Sequence, residues 1–124
     1  MEDYLQKFLQ SLADYEEGFG DAKQISPQTR SRVGDTPLHI AAIQGDLRAI
    51  ALLIDAGADL AAAGEAGYTP LHCAVSQRRT DAVRLLLERG ADTSLRTEID
   101  ETPLELAEHF HDHEIQKLLR QPAA

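Results

Sequence analysis

The stretch GDTPLHIAA at residues 34–42 returns as GYTPLHCAV at residues 67–75. A weaker third copy, DETPLELAE, follows at residues 100–108. The threonine that begins each TPL motif advances by 33 positions at every step, so that Thr36 and Thr69 occupy equivalent places. Self-similarity at one fixed period of this length indicates a repeat architecture, in which each copy folds into the same small unit.

The residues of each copy predict two short helices joined by a tight loop. Threonine is a good helix N-cap, and the proline that follows it suits the first helical position, which needs no N–H donor. Ile50, Leu53 and Ile54 then recur at helical spacing, which predicts a second helix in the first copy. Gly57 and Gly90 supply the left-handed residue that commonly ends such a helix.

The TPLH stretches, the leucine-rich second helices and the GAD sequences at residues 57–59 and 90–92 resemble the ankyrin repeat. The resemblance covers residues 34–120. It implies an all-α ankyrin-repeat solenoid of about three helix-turn-helix repeats, each with a finger loop and each touching only its neighbours. We therefore divide the chain into an N-terminal amphipathic capping helix with a connecting loop (1–33), a first repeat (34–66), a second repeat (67–99) and a C-terminal capping repeat (100–124).

The N-terminal segment does not match the repeat. Tyr4, Phe8 and Leu12 share one face of an amphipathic helix. The pattern predicts this helix from about Asp3 to Glu17. We expect it to cover the apolar edge of the first repeat, because a stack this short buries too little surface to leave an end exposed. A docking helix for a partner is the alternative.

The loops between the two helices of each repeat depart from the family pattern. Gly45 of the first repeat becomes Arg78 in the second and His111 in the third. The family usually has glycine there, for a positive φ angle that costs other residues about 1 kcal/mol or more. These two loops are expected either to differ in shape or to carry mild strain. The last repeat is also the most polar, with Gln116 and Lys117 in its second helix, which suits a terminal repeat facing water.

The composition is that of a small acidic protein. The chain has 124 residues, 43% of them hydrophobic, with a net charge of −9 and Cys73 as its one cysteine. Such a charge repels nucleic acid and attracts a basic protein partner, although it also serves solubility. No apolar run is long enough for a membrane helix, and the N-terminus lacks the features of a secretory signal. We expect a cytoplasmic monomer that binds neither nucleic acid nor membranes.

Few residues suggest chemistry. The resemblance implies that His39 and His72 hydrogen-bond within and between repeats. Cys73 stands where Ile40 stands in the first copy, so its register predicts a buried side chain and not a nucleophile. The glycines read as turn and cap residues, with no phosphate-binding loop among them. We expect neither a cofactor nor an enzymatic activity.

The sequence HFHDHE at residues 109–114 is the strongest candidate for a metal site. Three histidines beside carboxylates suit zinc or nickel. The repeat register, however, places His109 at the end of one helix, His111 in the loop and His113 at the start of the next. Incidental surface histidines are therefore the favoured interpretation, and we predict no metal ligands.

The resemblance implies that partners are bound by the finger tips and by the exposed face of the first helix in each repeat. We predict a non-catalytic protein–protein interaction module, either an adaptor or an inhibitor of the immunity type, that binds a basic partner. A structural or self-assembling scaffold is the alternative, followed by a metal-binding protein. The predicted partner-binding residues are Arg32, Val33, Asp35, Ile43, Gln44, Glu65, Tyr68, Ser76, Gln77, Arg78, Glu98, Ile99, Glu101, His109 and Phe110.

Overall fold

The architecture is a short stack of helix pairs. A computed structural model describes residues 2–14, 18–19 and 25–121. None of the helices in these ranges is long and apolar enough to cross a membrane. The seven α-helices of the described residues are α1 (Glu2–Ser11), α2 (Pro37–Gln44), α3 (Leu47–Asp55), α4 (Pro70–Ser76), α5 (Thr80–Glu88), α6 (Pro103–His109) and α7 (His113–Arg120).

Each first helix begins at the predicted Thr-Pro step. The backbone N–H of Thr69 donates to Nδ1 of His72 at 3.2 Å, and the backbone N–H of His72 donates to Oγ1 of Thr69 at 3.3 Å. Thr102 and Glu105 form the same reciprocal pair in the third repeat. Each pair gives a partner to two N–H groups that the helix itself leaves unsatisfied. The predicted helix starts are therefore confirmed.

The helices stack in two rows. The first helices α2, α4 and α6 pack in sequence and form the inner row, while α3, α5 and α7 form the outer row. Leu38, Leu53, Leu71 and Leu86 are fully buried in the common hydrophobic core. Each such side chain contributes roughly 1.5–3 kcal/mol of burial, so this core holds the stack together.

The N-terminal helix α1 extends the outer row. It packs against α3, and its Phe8 is buried in the common core together with Leu12 of the short 3-10 turn that follows. The hydroxyl of Tyr4 also donates to Oδ2 of Asp46 at 2.8 Å, which fixes α1 to the first inter-helix loop. The apolar face of α1 is therefore used within the molecule. The predicted helix end at Glu17 and residues 20–24 of the predicted connecting loop lie outside the described residues, as do residues 122–124 of the last repeat.

All three inter-helix loops have the same backbone. The φ angle is +70° at Gly45, +55° at Arg78 and +57° at His111. In each loop the next residue donates its N–H to a carbonyl in the last turn of the first helix, at 2.9–3.0 Å. Of the two expected outcomes, a change of shape is therefore wrong, and the second and third loops carry the strain of a left-handed non-glycine residue.

The fingers are hairpins that repeat at the same period. The N–H of Ser31 donates to the carbonyl of Asp35 at 2.7 Å, and that of Gly64 donates to the carbonyl of Tyr68 at 2.8 Å. The third finger closes in the same way, through Thr97 and Glu101. The N–H of Glu98 donates to the carbonyl of Ala66 at 3.0 Å, so the tips of the second and third fingers lie side by side.

Candidate protein-binding surface

A groove of about 240 Å³ lies where the first two fingers meet the inner helices α2 and α4. Its lining combines apolar side chains with carboxylates. The groove brings together six of the predicted binding residues with Ala66 and Cys73. The eight lining residues are Asp35, Ile43, Glu65, Ala66, Tyr68, Cys73, Ser76 and Gln77.

The apolar part of the groove is formed by half-buried and buried side chains. The Tyr68 ring is half-buried and lies against His72, with 5.6 Å between the ring centroids. Burial, with a contribution from the negative charge of Glu101, raises the pKa of the Tyr68 hydroxyl, so the side chain is neutral. Ile43 is half-buried across the groove. An aromatic and an aliphatic side chain that remain partly open to solvent offer contact area to a ligand.

Cys73 contributes to the lining without a reactive thiol. Its side chain is 5% exposed, and burial raises the pKa of the thiol well above its usual range, with further contributions from Asp35 and Glu65. A protonated, buried thiol behaves as a small apolar group. The prediction of a buried, unreactive cysteine is therefore confirmed.

Asp35 is more buried than its predicted surface role requires. The side chain is 7% exposed, and Oδ1 accepts the backbone N–H of Glu65 at 2.9 Å. This bond ties the first finger to the second. A short acidic side chain at the base of a finger has a backbone donor of the next finger within reach, and the sequence alone gave no indication of that contact.

Two histidines hold the fingers against the inner helices. Nε2 of His39 lies 2.8 Å from the carbonyl of Tyr68, and Nε2 of His72 lies 2.9 Å from that of Glu101. The N–H of Thr36 donates to Nδ1 of His39 at 3.0 Å, which requires the proton of a neutral ring to be on Nε2. The structural role that the resemblance implied for these histidines is confirmed, and it positions the finger that carries Tyr68.

The remaining predicted residues lie outside the groove. Val33 and Ile99 occupy equivalent finger tips, with exposures of 36% and 74%. Phe110, at the end of α6, is 38% exposed. Charged residues lie beside these apolar side chains. Of the nine predicted residues outside the groove, Glu101 is half-buried and the other eight are exposed. The predicted residues outside the groove are Arg32, Val33, Gln44, Arg78, Glu98, Ile99, Glu101, His109 and Phe110.

Two adjacent arginines join the ends of the inner helices. Nη2 of Arg78 donates to the carbonyl of Phe110 at 3.0 Å, and Nε of Arg79 donates to the carbonyl of Ile43 at 2.9 Å. Both acceptors are carbonyls at helix C-termini, which commonly lack an intrahelical partner. Arg79 was not among the predicted residues, because its contact reaches back to the preceding repeat and leaves no mark in the repeat pattern.

The histidines of residues 109–113 are placed as the register predicted. His109 ends α6 and His113 begins α7, while His111 lies in the loop between them. Among the residues that the structure describes, no group of three or more histidine, cysteine or acidic side chains is arranged to hold a metal ion. Nδ1 of His109 lies 3.8 Å from a carboxylate oxygen of Glu101, so this histidine faces the third finger.

Comparison with protein families supports the repeat architecture. The model for ankyrin repeats matches residues 4–97 as three copies, a region that begins in α1 and ends in the third finger. A search of curated proteins found no match to the chain. Ankyrin repeats mediate binding to other proteins and are typically non-catalytic. Because the matched region makes up most of the sequence, this chain belongs to the ankyrin-repeat family.

Proposed function

We propose that the protein is a binding module, an adaptor or an inhibitor of the immunity type, that holds a basic partner against its fingers and inner helices. The observation that carries the proposal is the groove, which places the exposed parts of Ile43 and Tyr68 next to the carboxylates of Asp35 and Glu65. Such a surface supplies apolar contact and negative charge at the same place.

The wider surface has the same character. Tyr68 and Phe110 are aromatic, a class of residue that often anchors protein interfaces. Val33 and Ile99 add apolar area at the finger tips. The exposed carboxylate of Glu98 stands next to Ile99, and a net charge of −9 favours the approach of a positively charged protein. A partner that covers this side would bury on the order of 800 Å² of it, which is a standard-size interface.

The proposal is tested by capturing partners on the whole chain at low and at high salt, with identification of the bound proteins by mass spectrometry. We expect a basic protein that is retained at low salt and weakened at high salt, since screening acts on exposed charges. Retention of a partner with no basic surface at both salt concentrations would reject the charge-based account.

The scaffold alternative gives a different result. If the chain forms a larger self-assembly, light scattering shows a mass above that of the monomer, and the capture returns no other protein. That combination would replace the binding-module proposal.

A further inference from the structure

We propose that the groove takes up one arginine side chain of the partner, which stacks on the ring of Tyr68 and pairs with the carboxylates of Asp35 and Glu65. This inference rests on the proposed function, since it names the feature of a basic partner that the groove recognises. Three observations support it: the size of the groove, the free acceptor positions of its carboxylates and the bonds that the neighbouring cations make elsewhere.

The size of the groove suits a single long side chain. Its volume of about 240 Å³ lies below the range of roughly 300–1,000 Å³ that is usual for small-molecule sites. Besides the polar side chains of Ser76 and Gln77, the lining has an apolar part and a charged part. Ile43, Ala66, Cys73 and the Tyr68 ring are apolar, and the carboxylates of Asp35 and Glu65 are charged. An aliphatic stem that ends in a cation matches both parts at once.

The two carboxylates keep free acceptor positions. Oδ1 of Asp35 accepts the N–H of Glu65, whereas Oδ2 accepts no hydrogen bond from a described residue. Since every fully buried side-chain oxygen or nitrogen of the described parts of the chain has a partner, Oδ2 retains some exposure to solvent. The exposed carboxylate of Glu65 likewise accepts no hydrogen bond from a described residue. Both groups raise the pKa of the Cys73 thiol, which places their charge at the groove.

The nearby cations of the protein are committed elsewhere. Nη1 of Arg30 donates to the carbonyls of Gly34 and Ala63, both at 2.8 Å. Arg79 is bonded to the end of α2 through Nε. Neither Asp35 nor Glu65 takes part in any ion pair within the described ranges. Within the part of the chain that the structure describes, no cation pairs with the carboxylates of the groove, so their negative charge is available to a ligand.

Arginine fits this arrangement better than lysine. Its planar guanidinium stacks on an aromatic face and donates two parallel hydrogen bonds to a carboxylate. The Tyr68 ring supplies the face, and Oδ2 of Asp35 and the carboxylate of Glu65 supply the acceptors. A lysine ammonium pairs as a point charge and gains less from the ring. A neutral side chain leaves both carboxylates without a counter-charge.

The test is a titration of the whole protein, followed by ¹H–¹⁵N NMR, with Nα-acetyl-arginine amide. The matched probe is Nα-acetyl-citrulline amide, which has the same length but no positive charge. We expect saturable shifts for the arginine probe at the amides of Glu65, Ala66, Tyr68 and Gln77, and much weaker ones for the citrulline probe. Equal affinity for the two probes, or shifts confined to other surfaces, would overturn the proposal.

Variants locate the site. The double variant Asp35→Asn/Glu65→Gln removes both negative charges of the groove, while the amide oxygen of residue 35 can still accept the N–H of residue 65. We expect this variant to bind the arginine probe about tenfold or more weakly than wild type. The control pair, Glu88→Gln/Glu114→Gln, removes the same charge from exposed positions in the outer row and should leave the affinity within about twofold. If this double variant does not fold, the single variant Glu65→Gln provides the test, because the Glu65 side chain is exposed and its replacement leaves the core unchanged.

The two proposals fail separately. Undiminished binding of the arginine probe to the groove variants rejects the arginine site, whether or not a partner has been captured. Capture of a basic partner whose affinity is the same for the groove variants and for wild type leaves the binding module intact and also rejects the arginine site.

Discussion

Gly64 and Asp35 approach so closely that a Cβ atom on Gly64 would overlap the carboxylate of Asp35. The same atom would lie 2.9 Å from Nε2 of His39. The glycine is therefore needed for space and not for its backbone angle, since its φ is −103°. The junction between the first helix and the second finger, on which the groove depends, is built around this missing side chain.

Gly64→Ala is expected to destabilise the protein by roughly 2–3 kcal/mol, because the added methyl forces Asp35 and His39 apart in a packed region. Gly90→Ala is the matched control. A Cβ there meets nothing within 4 Å, so only the positive φ angle opposes it, at about 1 kcal/mol. Urea unfolding of both variants provides the measurement, and a larger loss at Gly90 would contradict this account of Gly64.

His72→Ala is expected to cost roughly 2–4 kcal/mol of unfolding free energy. The change removes the bond from Nε2 to the carbonyl of Glu101, removes the acceptor for the Thr69 N–H and leaves a cavity at a fully buried position. Glu105→Ala, at the equivalent place in the last repeat, removes an exposed acceptor for the Thr102 N–H and an exposed ion pair with Arg96, and should cost less. Equal losses in chemical denaturation would show that the contact between repeats contributes little.

Stability should fall as the pH is lowered below about 6.5. Burial lowers the pKa of His39 and His72 in the folded protein, so the unfolded chain binds protons that the folded chain does not. The stability that the two neutral, buried histidines contribute is complete above the pKa of the unfolded chain. It is lost as the pH falls from that value toward the lower pKa of the folded protein. Between pH 7 and 5.5, His72→Gln should show a shallower loss of unfolding free energy than wild type. Identical slopes for the two proteins would contradict the assignment.

His111→Gly is expected to stabilise the protein by up to about 1 kcal/mol, because glycine adopts the +57° φ angle of this loop without a Cβ clash. His113→Gly is the control, since glycine in the first turn of α7 lowers helix stability. Thermal or urea unfolding measures the stability of both variants relative to wild type. A destabilised His111→Gly would mean that the histidine side chain makes a contribution larger than the backbone strain.

The repeat period was enough to predict most of the fold. Thr36, Thr69 and Thr102 fixed the helix starts, because a threonine followed by proline has few other local conformations available. The buried positions of Leu53 and Cys73 followed from register alone. The register with Gly45 marked Arg78 and His111 as the equivalent loop residues, but it left open whether the left-handed geometry would be kept without glycine.

The site could be predicted only in part. Residues on the finger and on the exposed face of the first helix of a repeat, such as Tyr68, follow from the family pattern. Contacts between repeats do not, because they depend on how far a side chain reaches across the stack. Asp35 is buried by such a contact with the finger of the next repeat, and Arg79 reaches back to Ile43. The positions equivalent to Arg79 hold Asp46 and Asp112, so the repeat pattern does not mark its contact.

The central claim is that the groove and the finger side bind the partner. The most direct measurement is the affinity of the captured partner for wild type, for Tyr68→Ala/Phe110→Ala and for the outer-row control Glu88→Ala, after circular dichroism has shown that all three are folded. We predict that the double alanine variant loses about tenfold or more in affinity, since each anchor aromatic is worth roughly 1–2 kcal/mol, while Glu88→Ala matches wild type. Unchanged affinity in the double variant would show that the partner binds elsewhere on the molecule.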